Sequence, residues 1–279
     1  MSVSAVSLAG GGAAPQKATQ LYDRPSADHD AKRQEARALL QRAAAEGGVT
    51  QASSLGAEDV VITHLINALG LDIPVFVLET GMLHHETLAL LERTQAASRA
   101  PVKVYRPQQE AVIQFIRTHG QDAMYRSIEL RKACCSIRKM EPLGRALAGQ
   151  RGWITGLRRE QSQARANVGL VDTSEVATKG LTKYNPLANW TWGDVWHYIA
   201  TEGVDYNPLH DRFYPSIGCA PCTRAIALGE DFRAGRWWWE AEDAKECGLH
   251  VKSQPDQTRN GGQRAAPSPA AASNTGAQA

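Results

Sequence analysis

Five cysteines hold the most distinctive chemistry in the sequence: Cys134, Cys135, Cys219, Cys222 and Cys247. An odd count in a chain of 279 residues argues against a secreted disulfide framework. The opening Met-Ser-Val-Ser-Ala-Val lacks the basic stretch of an export signal, so a cytoplasmic location is expected, with thiols as ligands or nucleophiles. The cysteines divide as four plus one. Cys134-Cys135 and Cys219-x-x-Cys222 are two pairs separated by 83 residues, able to converge on one metal centre. Taken singly, the first pair reads as two buried helix residues and the second as a redox pair or half a zinc site. Adjacent thiols chelate tetrahedral zinc awkwardly, whereas each iron of a [4Fe–4S] cube takes one thiolate; the spacing favours the cluster and leaves zinc open. Cys247 stands apart in Glu246-Cys247-Gly248-Leu249-His250. It is either an incidental surface cysteine or a nucleophile whose thiolate His250 favours.

The elements that must position these groups follow from the hydrophobic pattern. Residues 1–24 are mostly small or polar and are expected to be disordered. So is the tail 253–279, which has no Val, Leu, Ile, Met or aromatic side chain; such segments bury too little apolar area to offset chain ordering. The folded domain is expected over 25–250. Within it an exposed helix is predicted over 30–46, a strand over Val49–Ser53 and a helix over Val60–Ala68. A buried strand over Ile73–Glu79 precedes a helix over His84–Ala97, where His84 and His85 read as surface or capping residues. A strand over Val102–Tyr105, a helix over Gln108–Thr118, a helical stretch 123–148 and a strand over Trp153–Thr155 complete the alternation. Strands separated by helices imply an α/β fold with a mostly parallel sheet flanked by helices, and ligands beyond the carboxyl ends of its strands. Leu157–Val176 is polar and Arg-rich and is expected to be a mobile loop. A short helix over Thr191–Thr201 has one apolar face.

Charge narrows the function. Lys and Arg number 31 against 29 Asp and Glu, a formal charge of +2, which gives no reason to expect a nucleic-acid or membrane-surface binder. No run of residues is apolar and long enough to span a bilayer.

The flanking motifs are similar to a known family. Lys132-Ala-Cys134-Cys135-Ser-Ile-Arg138-Lys139-Met-Glu141-Pro142-Leu143 resembles the CC-x-x-RK-x-x-PL segment of assimilatory adenylyl-sulfate reductases. Gly218-Cys219-Ala-Pro-Cys222-Thr-Arg224 and Glu246-Cys247-Gly248-Leu249-His250 resemble its other two signatures, in the same order. The resemblance covers about residues 30–250. It implies an adenine nucleotide alpha hydrolase-like (PP-loop) fold and the reduction of adenosine 5′-phosphosulfate to sulfite and AMP by reduced thioredoxin. It further implies one [4Fe–4S] cluster per chain on Cys134, Cys135, Cys219 and Cys222, and an S-sulfocysteine intermediate on Cys247. Lys139 and His250 are expected beside the chemistry.

Other motifs extend the comparison. Ser53-Ser54-Leu55-Gly56-Ala57-Glu58-Asp59 is similar to the family's modified PP-loop, at a strand-to-helix turn where backbone N–H groups favour an anion; alone it reads equally as capping. Leu78-Glu79-Thr80-Gly81 resembles the Leu-Asp-Thr-Gly segment near the adenosine, with Glu79 in place of Asp. Gly156-Leu157-Arg158-Arg159-Glu160-Gln161-Ser162 resembles an arginine loop, and guanidinium forks suit phosphate and sulfate oxygens. The implied substrate-binding residues are therefore Ser53, Ser54, Gly56, Glu58, Leu78, Thr80, Arg138, Gly156, Arg158, Arg159, Arg233 and Arg236. Trp237-Trp238-Trp239 reads as packing at the base of the last segment. The alternatives are a 3′-phosphoadenylyl-sulfate reductase with the same mechanism, a PP-loop ATP pyrophosphatase of tRNA thiolation and a non-enzymatic Fe–S sensor. The near-neutral charge argues against the tRNA enzyme. No nucleic-acid or membrane partner is expected, and a homo-oligomer is left open.

Overall fold

The computed structural model describes residues 16–227 and 229–241. Cys247, His250 and the 253–279 tail lie outside the described residues. In chain order the elements begin with α1 (Ala18–Leu21), α2 (His29–Glu46), β1 (Val49–Ser53), α3 (Ala57–Ala68) and β2 (Val75–Leu78). Next come α4 (His85–Ala97), β3 (Val102–Tyr105), α5 (Gln109–His119) and α6 (Ile128–Cys135). A π-helical turn, Ser136–Met140, leads directly into α7 (Glu141–Leu147) and β4 (Gly152–Ile154). The remainder is β5 (Val171–Asp172), α8 (Val176–Lys179), β6 (Thr182–Tyr184) and α9 (Trp192–Glu202).

The strands form one sheet in the order β3-β2-β1-β4-β6-β5. All neighbours run parallel except the short edge pair β5–β6. The alternation of strand side chains divides the core. Val75 and Val77 face a cluster with Leu40 of α2, Ile62 and Leu65 of α3 and Trp196 and Ile199 of α9. Phe76 points the other way, against Leu143, Ala146 and Trp153. The chain moves outward from β1 to β2 and β3, then returns to place β4 on the other side of β1. A crevice therefore opens beyond the carboxyl ends of β1 and β4, the topological switch point. No helix among the described residues is long and apolar enough to cross a membrane.

Four local expectations need correction. Residues 16–24 belong to the folded body: the Ala18 N–H donates to Asp211 Oδ1 at 2.7 Å, and the Tyr22 ring lies 5.8 Å from Trp192 and 6.0 Å from Trp196. One aromatic residue gives this short stretch the apolar contact that its composition does not advertise. The helix expected to be exposed over 30–46 buries Ala36, Leu39, Leu40 and Ala43. The helical stretch 123–148 is broken at Arg126 and Ser127: a short turn, Ala123–Tyr125, precedes an unbroken run of α6, the π turn and α7, with Ser127 capping α6 by accepting the Leu130 N–H at 3.2 Å. In the expected mobile loop, Leu157, Arg158, Gln161 and Arg165 are buried. β5 and β6, only two and three residues long, have no legible periodicity and exist because Tyr184 pairs with both Ile154 and Val171.

Asp194 locks the N-terminal segment to α9. Its buried carboxylate accepts from the Thr191 N–H at 2.8 Å, the Ser26 N–H at 2.7 Å and Lys32 Nζ at 3.2 Å. Burial opposes its charge, but these donors prevail and hold the carboxyl well below the usual range. Asp194→Ala leaves them unpaired in the interior and is expected to cost on the order of 3 kcal/mol, read as a lowered thermal midpoint.

Candidate nucleotide and thiol site

The loop after β1 is shaped by its own side chains. Leu55 sits at φ 60°, a left-handed conformation that costs a branched residue roughly 1–2 kcal/mol and persists because Leu55 is wholly buried. Asp59 Oδ2 accepts both the Ser54 N–H and the Ser54 hydroxyl at 2.6 Å. Ser53 Oγ accepts the Leu55 N–H at 3.2 Å. Gly56 occupies the N-cap of α3 and offers no capping side chain. Burial pushes the Asp59 carboxyl up to about 6 and the adjacent Glu58 charge adds to this, against the lowering effect of bonds from Ser54 and Gly156.

The end of β4 meets this loop directly. A Cβ on Gly156 would overlap Asp59 Oδ1 and lie 2.9 Å from Glu58 Cβ, so only glycine permits the approach. Beyond it, Arg158 is 1% exposed and committed to protein partners: Glu58 at 2.9 Å, Glu160 at 3.1 Å and the Trp190 carbonyl at 3.4 Å. The Trp192 and Phe232 rings lie 5.3 and 5.6 Å from its guanidinium. Arg159 is exposed and donates to the Val168 carbonyl.

One cavity collects most of the expected residues. Ser53, Ser54, Gly56, Glu58, Leu78 and Thr80 line it from the first half of the sheet, and Lys139, Gly156, Arg233 and Arg236 from later segments. Arg138, Arg158 and Arg159 are not among its lining residues. Arg138 Nη1 donates to the Thr80 carbonyl at 2.6 Å, and Glu79 turns to Arg106 at 3.0 Å and to the Gly81 N–H. Asp59, Arg165 and Phe232 line the cavity and were missed. Arg165 belongs to the same Arg-rich stretch, and its bond to Gln161 at 2.7 Å selects it over its neighbours; no feature of the sequence alone ranks it above Arg158.

None of the four described cysteines is in a disulfide. Cys134, Cys219 and Cys222 share an apolar cluster with Trp237, Phe115 and Met124. Leu83 bridges to Cys219 and the Ala220 N–H donates to the Met82 carbonyl at 2.7 Å, fastening the second pair beside the end of β2. Thr80 Oγ1 lies 3.3 Å from Cys219 Sγ. Burial pushes the Cys134 thiol up and the Cys222 thiol up to about 12, with Lys139 and Arg236 opposing the latter. No three His, Cys, Asp or Glu side chains among the described residues are gathered to hold a single metal ion. Three thiols, Cys134, Cys219 and Cys222, share one apolar cluster, and Cys135 is half-buried beside Cys134. The π turn after Cys135 widens the helix where Arg138 and Lys139 leave it.

A doubly flanked parallel sheet presenting a nucleotide-type loop at its switch point, with cations across the crevice and cysteines beside it, defines a PP-loop-like α/β protein. Residues 48–225 match the phosphoadenosine phosphosulfate reductase domain, and the chain belongs to that family. It is 54% identical over 200 residues, 72% of this chain and 79% of the relative, to an adenosine 5′-phosphosulfate reductase of Burkholderia cepacia. A relative of the same name from Allochromatium vinosum is 51% identical over 71% of this chain and 77% of its own length. Among solved structures, a phosphoadenylyl-sulfate reductase from Candida auris in a phosphate complex superposes with a TM-score of 0.58 at 25% identity, covering 73% of this chain and 98% of that one.

The buried Asp59 has a measurable signature. Because its folded pKa of about 6 lies above the ordinary value of 3.8, its contribution to stability is full at low pH and lost as pH rises through 6. Relative to Asp59→Asn, the wild-type chain should therefore gain roughly 1–2 kcal/mol in unfolding free energy between about pH 8 and pH 5. A difference that stays constant over that range in denaturant titrations contradicts the assignment.

Proposed function

We propose that the protein reduces adenosine 5′-phosphosulfate to sulfite and AMP with two electrons from a reduced thioredoxin. The observation that carries the reading is the shared cavity. The nucleotide-type loop, Lys139 from the turn after one cysteine pair, and Arg233 and Arg236 from the segment leading toward Cys247 all face it. The names of the Burkholderia and Allochromatium relatives support the same substrate.

The chemistry sets a clear electrostatic demand. Cys247, as thiolate, attacks the sulfur of the sulfate group; the S–O bond to the phosphate breaks and AMP leaves with that electron pair. The product on the chain is an S-sulfocysteine. A thiol of the donor then attacks Cys247 Sγ, the S–S bond breaks, and sulfite leaves with its electrons. The donor's second thiol resolves the mixed disulfide, so the dithiol is oxidised and the sulfate sulfur reduced by two electrons. A thiolate meeting an anionic sulfate needs nearby positive charge, and Lys139, Arg165, Arg233 and Arg236 offer it. Arg158 serves instead by neutralising Glu58 beneath the loop.

Cys134, Cys135, Cys219 and Cys222 would hold a [4Fe–4S] cluster. Sulfur transfer through Cys247 needs no one-electron carrier, so when bound the cluster supplies order and local electrostatics. Arg138 braces the Thr80 carbonyl beside it. The second reading, a 3′-phosphoadenylyl-sulfate reductase, draws on the Candida auris structure; relative rates on the two nucleotides discriminate them, with the unphosphorylated one expected to be faster.

The decisive experiment is intact mass spectrometry of the full chain after incubation with adenosine 5′-phosphosulfate and no thioredoxin. A sulfonate adduct that disappears in Cys247→Ser, with AMP binding retained, is the expected result. Folded wild-type protein that stays unmodified sinks the mechanism.

A further inference from the structure

The last described turn is fastened to both cysteine pairs. Arg131, on α6 three residues before Cys134, is 1% exposed. It donates through Nε to Glu240 Oε1 at 2.9 Å and through Nη2 to Glu240 Oε2 at 2.6 Å. The side chain of Glu240 is 3% exposed, so the pair is desolvated and bidentate. The Arg131 guanidinium also lies 4.7 Å from the Trp237 ring centroid, and that of Arg236 lies at the same distance. The Trp237 N–H donates to the Cys222 carbonyl at 3.2 Å, and the Glu240 N–H closes the turn onto the Trp237 carbonyl at 2.9 Å. Trp237 itself is held at φ 42°, a left-handed conformation that an aromatic residue keeps only when its surroundings impose it. The turn 237–240 is thus tied to the helix of the first cysteine pair by an ion pair and to the second by its backbone.

Burying such a pair is a poor way to gain stability, because desolvation offsets most of the attraction; its better-attested use is to impose one arrangement. Here the arrangement concerns reach. Cys247 lies seven positions after Glu240, and seven residue steps span at most about 24 Å. The anchor therefore limits the volume that the Cys247 thiol can sample, and with it the effective concentration of thiol at the cavity.

We propose that Arg131 and Glu240 are positioning residues that set the origin of the Cys247-bearing segment against the assembled four-cysteine centre, coupling delivery of the nucleophile to the integrity of that centre. The proposal rests on the reading of Cys247 as the nucleophile. Neither residue touches the substrate; both act through the placement of the turn.

The test compares single-turnover formation of the Cys247 sulfonate adduct in the full-length, iron-loaded wild type, Glu240→Gln and Arg131→Lys. Glutamine keeps the shape without the charge, and lysine keeps the charge without the fork. Both variants are expected to form adduct at least tenfold more slowly, with iron content unchanged and AMP affinity within twofold of wild type. In steady state kcat falls while KM holds. The double variant should be no slower than the slower single one, since both remove the same interaction. Variants that form adduct at the wild-type rate overturn the proposal, as does an AMP affinity that falls in step with the rate. Absence of adduct in the wild type removes the mechanism itself, a different outcome from unchanged variants. If Glu240→Gln is too unstable to assay, Arg131→Lys makes the same comparison.

Discussion

The contact on which the site depends is the approach of two strand ends, where Gly156 after β4 meets Asp59 in the first turn of α3. A side chain at 156 would drive the two apart. Because β1 and β4 are neighbours in the sheet, this closeness brings the nucleotide-type loop and the arginine-rich stretch to one crevice. The loop then satisfies itself: Asp59 takes the Ser54 donors, and Glu58 takes Arg158. These carboxylates lie where a parallel sheet ordinarily receives an anion, so the positive charge offered to a ligand comes from farther along the chain.

That charge is local. A net charge of +2 conceals Lys139, Arg165, Arg233 and Arg236 on one cavity. They come from three segments, two of which flank cysteine pairs. The thiols and the cations are therefore parts of one arrangement, in which the raised Cys222 thiol is opposed by Lys139 and Arg236. The ion pair of Arg131 with Glu240 extends the same arrangement to the last described turn.

Much of this was legible in the residues. The alternation of strands and helices through Trp153 was readable because each buried strand is an apolar run and each helix has a helical stripe. The cysteine pairs, the Ser53–Asp59 turn and Gly156 were legible as types at fixed spacings, and ten of the twelve-plus-one residues expected beside the substrate or the chemistry do share a cavity, His250 and Cys247 lying outside the described residues. Less visible were α1, β5 and β6, which are too short to show a period and form only because partners wait for them.

The sequence by itself determined the chemistry available: thiols in two pairs, a glycine where two strand ends must touch, and cations enough for an anionic ligand. Tertiary structure alone decided which cations face the cavity. Arg158 and Arg165 are the same residue type seven positions apart, yet one is neutralised beneath the loop by Glu58 and Glu160 and the other lines the cavity. The physical reason is that a buried guanidinium takes the carboxylates within its reach, and which carboxylates those are depends on contacts made across the fold.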